Sequence, residues 1–140
     1  MTDERPLNGA TLRVIAASIG LHRSLDIAHI LGRNERTVTR WFTDERPIGP
    51  DVAKVFRTWQ QQFSQAVNTR LDEIDELVND GAETIVLTRY PNKTALRAVE
   101  GGRSILTHSA ETWDAFLGRV VSTLEDQGVP YRVDTYGAKD

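Results

Sequence analysis

One interrupted helical pattern constrains this chain more than any other feature. In the stretch Ser24 to Thr43, SLDIAHILGRNERTVTRWFT, the apolar residues Ile27, Ala28 and Leu31 lie at helical spacing. Gly32 interrupts them, and Val38 and Trp41 resume the same periodicity beyond it. Two short helices meeting at a tight turn satisfy that pattern. Each is only about two turns long, too short to be stable alone, so both must be packed against further helices.

Length and composition narrow the classes available to such a pair. The chain has 140 residues, 39% of them hydrophobic and 26% charged, which is ordinary for a globular protein of one domain or two small ones. With no cysteine, disulfide frameworks and thiolate metal sites are excluded, and His22, His29 and His108 do not fall at metal-ligand spacing. No metal or cofactor is expected. No apolar run approaches the roughly 20 residues of a membrane span, and the start MTDERPLNG lacks the apolar core of a secretion signal. A cytoplasmic location without membrane partners is the expectation.

The net charge of −3 hides an asymmetry. Residues 1 to 60 carry nine Lys/Arg against seven Asp/Glu, whereas the remainder carries eight against thirteen. A reader of DNA needs a local basic face, not a basic total, so acidity in the back half does not exclude phosphate contact.

Upstream of the interrupted pattern, Asn8 is placed to cap a helix whose stripe is Leu12, Ile15, Ala16 and Ile19, and Gly20 ends it. Ser24 is the expected cap of the second helix and Asn34 of the third. Ala28, Gly32, Val38 and Trp41 together resemble the helix-turn-helix motif of Cro/C1-type repressors, over roughly residues 8 to 60 with the flanking helices. Each position has a physical reason. A small Ala28 lets the two helices cross closely, Gly32 takes positive φ at the turn, and Val38 with Trp41 seals the third helix onto the core. At Leu25 the chain departs from the pattern, since many relatives carry a glutamine there that bonds the DNA backbone.

If Val38, Trp41 and Phe42 face inward, the outward residues of the third helix are Glu35, Arg36, Thr39, Arg40 and Thr43, with Asn34 at its tip. Arg36 or Arg40 offers a fork for guanine O6/N7, Asn34 suits adenine or a phosphate, and Thr39 suits a thymine methyl. The resemblance implies that this face enters the major groove. Arg23, Ser24 and Arg33 flank the second helix where a DNA backbone would pass, completing the candidate set. Arg46 is expected to pair with Asp44 or Glu45. Glu35 would repel phosphates unless it reads a cytosine amine or pairs with Arg36 or another arginine. A charged helix face is also what plain solvation produces, and helix-turn-helix shapes also serve as protein-binding modules.

Pro50 opens a new helix at the position where proline is tolerated. Val52, Phe56, Trp59, Phe63, Val67, Leu71 and Ile74 then recur every three or four residues without proline or glycine to about Asn79, which predicts one helix about 45 Å long. Its first half should close the helical head with Val52, Val55, Phe56 and Trp59. Its second half needs another partner, either the C-terminal unit or the same helix of a second subunit. A break near Gln60 to Gln62 is the alternative.

Beyond Gly81, ETIVLTRY reads as a strand, Thr94 to Val99 as a short helix, and Arg103 to Leu106 as a brief extended piece. Ser109 caps a helix with the stripe Trp113, Phe116, Leu117, Val120, Val121 and Leu124, closed by Gly128, and VPYRVDTY is a second strand. The expected fold is thus mainly α: a four-helix head over 1 to 60, the second half of the long connecting helix from 61 to 80, and a small α/β unit of two or three strands from 81 to 140 for dimerisation or an effector. This order is similar, less specifically, to that of the YdiL-like bacterial helix-turn-helix group.

His108 beside Ser109 and Asp114 suggests a nucleophile, and Arg89-Tyr90 with Lys93 a phosphate site, but no nucleophile elbow, P-loop, dinucleotide fingerprint or zinc pattern accompanies them. A non-enzymatic role is expected. The reading of best fit is a repressor-like regulator of bacterial or phage type that binds double-stranded DNA as a homodimer. An antitoxin or adaptor holding a protein partner on its acidic C-terminal unit is the alternative, and a small-molecule effector pocket between the strands and the Trp113 helix is a further expectation.

Overall fold

The computed structural model describes residues 5–102 and 104–137. It is mainly helical and divides into two compact units, Met1–Gln61 and Gln62–Asp140.

The first unit contains α1 (Gly9–Ser18), α2 (Ser24–Leu31), α3 (Glu35–Phe42) and the first part of α4 (Pro50–Asn79). Local chemistry sets most of these limits. Asn8 Oδ1 accepts from the Thr11 N–H at 2.8 Å, and Asn34 Oδ1 accepts from the Arg36 N–H at 2.8 Å. Gly32 ends α2 at φ 63°, a left-handed turn that costs glycine nothing, and the Arg33 N–H then reaches back to Ala28 O. Ser24 departs from expectation. It is the first residue of α2 rather than its cap; Arg23 takes the cap position and makes no side-chain cap bond.

The core of this unit is Leu12, Ile19, Leu21, Ile27, Ala28, Val38, Trp41 and, from α4, Val52, Ala53 and Phe56. Burying each larger side chain is worth about 1.5 to 3 kcal/mol, which is what two-turn helices such as α2 and α3 need to exist. Val55 and Trp59, expected in this core, are half-buried, and so is Phe42. Ala53 fills the place instead, because a small residue allows close approach, while Trp59 lies against Phe56 with ring centroids 4.9 Å apart.

The helix α4 runs unbroken through Gln60 to Gln62. Its second part belongs to the other unit, where Phe63, Val67 and Ile74 are buried. The partner they require is α6 (Ala110–Gln127): Phe63 meets Phe116 edge-on at 6.4 Å, and Arg119 lies over the Phe63 ring. Ser109 and Thr112 form a reciprocal capping box at the start of α6, and Gly128 ends it at φ 68°.

Two strands, β1 (Ile85–Arg89) and β2 (Tyr131–Thr135), pair in parallel with Leu87 opposite Val133. Between them come α5 (Lys93–Glu100), capped by Asn92, and then α6. Ile85 and Leu87 are buried, and the Trp113 indole N–H of α6 donates to Thr88 O at 2.9 Å. Among the described residues the sheet has no third strand. The extended piece expected from Arg103 to Leu106 is also absent: Ile105–Thr107 form a 3₁₀ turn capped by the Ser104 hydroxyl, and Arg103 lies outside the described residues. Buried Ile105 and Leu106, together with the bond from the Thr112 hydroxyl to Leu106 O at 2.9 Å, explain the tightening. Among the described residues no helix is long and apolar enough to cross a membrane.

Candidate nucleic-acid interface

Two contacts distant in sequence hold α3 in place. The carbonyl end of α3 abuts the first residue of α1: a Cβ on Gly9 would sit 2.2 Å from Phe42 O and 2.5 Å from Trp41 O. The Gly9 N–H donates to Asp44 Oδ1 at 2.7 Å, with Asp44 itself at φ 61°. One end of α3 is thereby locked against the core. On its other side, α3 packs on α2, and Val38 of the one and Ala28 of the other are both almost fully buried.

The opposite face of α3 is polar and open to solvent. Asn34, Glu35, Arg36, Thr39 and Thr43 are exposed, and Arg40 is partly so. Arg36 stands at the first turn of the helix and, like Arg33 just before it, makes no ion pair among the described residues. Arg40 approaches Glu45 at 4.0 Å. That contact displaces the expected pairing of Arg46, which among the described residues meets neither Asp44 nor Glu45 because Asp44 is committed to Gly9.

Glu35 does not pair with Arg36. It accepts a long bond of 3.4 Å from the Ser24 hydroxyl, which in turn accepts one of 3.4 Å from Thr39 Oγ1. The acidic side chain therefore points to the start of α2, where backbone N–H groups and the helix dipole favour negative charge. The single Thr39 hydroxyl proton is shared between Ser24 Oγ and the nearer Glu35 O, at 3.1 Å, and that of Thr43 is shared between Thr39 O and Arg40 O. Arg23 makes two bonds to Asp26, both at 3.1 Å.

Ser24, Glu35 and Thr39, with Arg13, Arg23 and Phe42, border a shallow recess of about 390 Å³ between the starts of α2 and α3. The guanidinium of Arg13 lies 5.0 Å over the Phe42 ring there. All nine sequence-selected residues thus belong to one unit and lie on or beside α2 and α3. Sequence reasoning missed Gly9 and Asp44, which carry no local signal beyond a glycine at a helix start and an acid after a helix end.

Ser109, Asp114, Arg89 and Tyr90, singled out in the back half, are otherwise engaged. Ser109 is held in its capping box, and Asp114 takes two bonds from Arg89, at 3.2 and 2.7 Å, which raise the Arg89 pKa. Buried Tyr90 donates to Glu100 at 2.7 Å, and burial together with that carboxylate pushes its pKa up to about 12. An open recess of about 420 Å³ lies beside Trp113, against Arg70 and Glu73 of α4 and Glu100, and another of about 440 Å³ lies where the end of α6 meets the start of β2, bordered by Leu124, Glu125 and Tyr131. No group of residues suited to holding a metal ion occurs among the described residues. The comparisons with protein-family models and with curated proteins give no match for this chain.

Proposed function

We propose that this chain is a sequence-specific, repressor-like transcriptional regulator that binds double-stranded DNA as a homodimer, with α3 as the major-groove reader. The observation that carries the reading is the start of α3. Arg33 and Arg36 stand there exposed and without an ion pair among the described residues, on a helix whose other face is sealed by Val38 and Trp41. Residues at the N-terminal end of a recognition helix are those that reach base edges. Arg36 is the stronger choice for guanine, since Arg40 lies beside Glu45. Asn34 Oδ1 is spent on its cap, so a phosphate contact through Nδ2 suits it better than two bonds to adenine. Ser24 and Glu35 act mainly by setting Thr39, while Arg23, Arg33 and Thr43 are placed for backbone contact.

Selection of bound duplexes from a random pool tests the reading directly, with a two-fold-symmetric site as the expected product. On that site Arg36→Ala should cost about 1 to 3 kcal/mol and relax one base position. Arg33→Ala should weaken all duplexes alike and reduce the salt slope by about one. Equal loss on selected and random DNA for Arg36→Ala removes its base-reading role, and recovery of no enriched duplex removes the regulator.

A further inference from the structure

The two edges of the small sheet are not equivalent. The Ile85 N–H donates to Pro130 O at 3.0 Å and the Tyr136 N–H donates to Arg89 O at 2.9 Å. In a parallel ladder, alternate residues turn their backbone groups toward the neighbouring strand. The even-numbered residues of β2 therefore face β1, and the N–H and C=O groups of Tyr131, Val133 and Thr135 face away. Among the described residues nothing bonds them. On the outer edge of β1, by contrast, Thr88 O already accepts from Trp113. Val133 is 40% exposed although it lies opposite buried Leu87. Its side chain shares that partner's face of the sheet and lacks the cover that Leu87 has.

We infer that β2 is a homodimerisation edge, pairing antiparallel with β2 of a second copy about a two-fold axis at Val133, so that the two sheets join into one of four strands. Pairing at this axis sets Val133 against its own copy and Tyr131 against Thr135, and every outward-facing N–H and C=O of the three residues finds a partner. Side-chain charge selects the same register. Arg132 and Asp134 lie on the opposite face, bonded to one another at 3.1 Å and about half exposed. With the axis at Val133, Arg132 falls opposite the Asp134 of the second copy, and Asp134 opposite its Arg132. A slip of the axis by half a residue breaks the hydrogen-bond alternation. A slip by one full residue sets Arg132 against Arg132 or Asp134 against Asp134, and like charges directly opposite are unfavourable. An unprotected edge strand invites pairing in any register, and this charge pattern favours the one centred on Val133, which alone sets both opposite-charge pairs in place. The inference deepens the homodimer part of the proposed function by naming its surface.

The full chain in sedimentation equilibrium should be a dimer at high concentration. Val133→Pro should make it monomeric with an unchanged circular dichroism spectrum, because the lost N–H faces away from β1. Arg132→Glu and Asp134→Lys should each be monomeric alone and associate when mixed. The chain contains no cysteine, so Val133→Cys should form a disulfide-linked dimer on mild oxidation, the Cα atoms of such a pair being about 5.5 Å apart. Val86→Cys, exposed on β1, should not. These last variants keep the test open if Val133→Pro fails to fold. A monomeric wild-type chain, a dimer that survives Val133→Pro, or charge variants that stay apart on mixing overturns the edge. A dimer surviving Val133→Pro still leaves the two-fold operator reading standing, whereas dimerisation through β2 without enrichment of any duplex sinks the regulator and keeps the edge.

Discussion

The arginines of the C-terminal unit and those around the start of α3 are held differently. In the C-terminal unit Arg89 is bonded twice to Asp114, Arg132 meets Asp134, and Arg70 meets Glu73 while lying over Phe116. Arg119 lies over Phe63. In the N-terminal unit Arg23 is bonded to Asp26 and Arg13 lies over Phe42, but at α3 Arg33 and Arg36 have no such partner among the described residues, and Arg40 has only a contact of 4.0 Å. A cation already paired must lose that partner before it serves a ligand, whereas an unpaired one loses only water. Composition would not rank them so, since both units are rich in arginine. What separates them is where the carboxylates point: Glu35, the acid nearest Arg36 in sequence, is turned to Ser24.

The contrast can be broken at several depths. The largest effect is expected at the packing of α4 on α6. Phe63→Ala removes a fully buried ring and should cost about 3 to 5 kcal/mol in urea unfolding, with amide exchange rising first in the C-terminal unit. Retained DNA binding by this variant would separate the two units in function. Next comes Gly9→Ala, whose Cβ has no room beside Phe42 O. Overpacking there should cost about 1 to 3 kcal/mol and displace α3, so binding to the selected duplex should fall with thermal stability. An unshifted melting temperature would mean that α1 and α3 separate at little cost.

A smaller effect is expected at Arg89→Ala. Its pair with Asp114 is largely solvent-exposed, so stability should change by under about 1 kcal/mol and duplex binding not at all. A loss of binding equal to that of Arg36→Ala would erase the distinction between paired and unpaired cations. Least of all is the alkaline effect of Tyr90. Its raised pKa means that the folded state holds the proton that the unfolded chain releases near pH 10. That contribution is complete below pH 10 and is lost as pH rises toward about 12. Tyr90→Phe should flatten the decline over this window, as read by urea midpoints at successive pH values.

Much of the fold was legible because its determinants are local. Asn8, Asn34 and Ser109 cap their helices, and Gly32 and Gly128 supply left-handed turns, each through groups within a few residues along the chain. Ser24 misled because a serine before an apolar run has the same signature whether it caps the helix or, as here, begins it and turns its hydroxyl toward Glu35. The tightening of Ile105–Thr107 was hidden for a similar reason: its determinant, the Thr112 hydroxyl on Leu106 O, belongs to the next helix.

By itself the amino-acid order determined the helices, most of their ends and the outward polar face of α3, since periodicity and capping act over one or two turns, while it left a break in α4 near Gln60 to Gln62 open. Only tertiary structure decided that Gly9 and Asp44 lock the end of α3, that α6 covers the second part of α4, and that Thr88 rather than Val133 has its edge carbonyl taken. Those choices rest on contacts between residues tens of positions apart. Such contacts depend on which surfaces remain uncovered once each helix has buried its own stripe, and no window along the chain contains both sides of that choice.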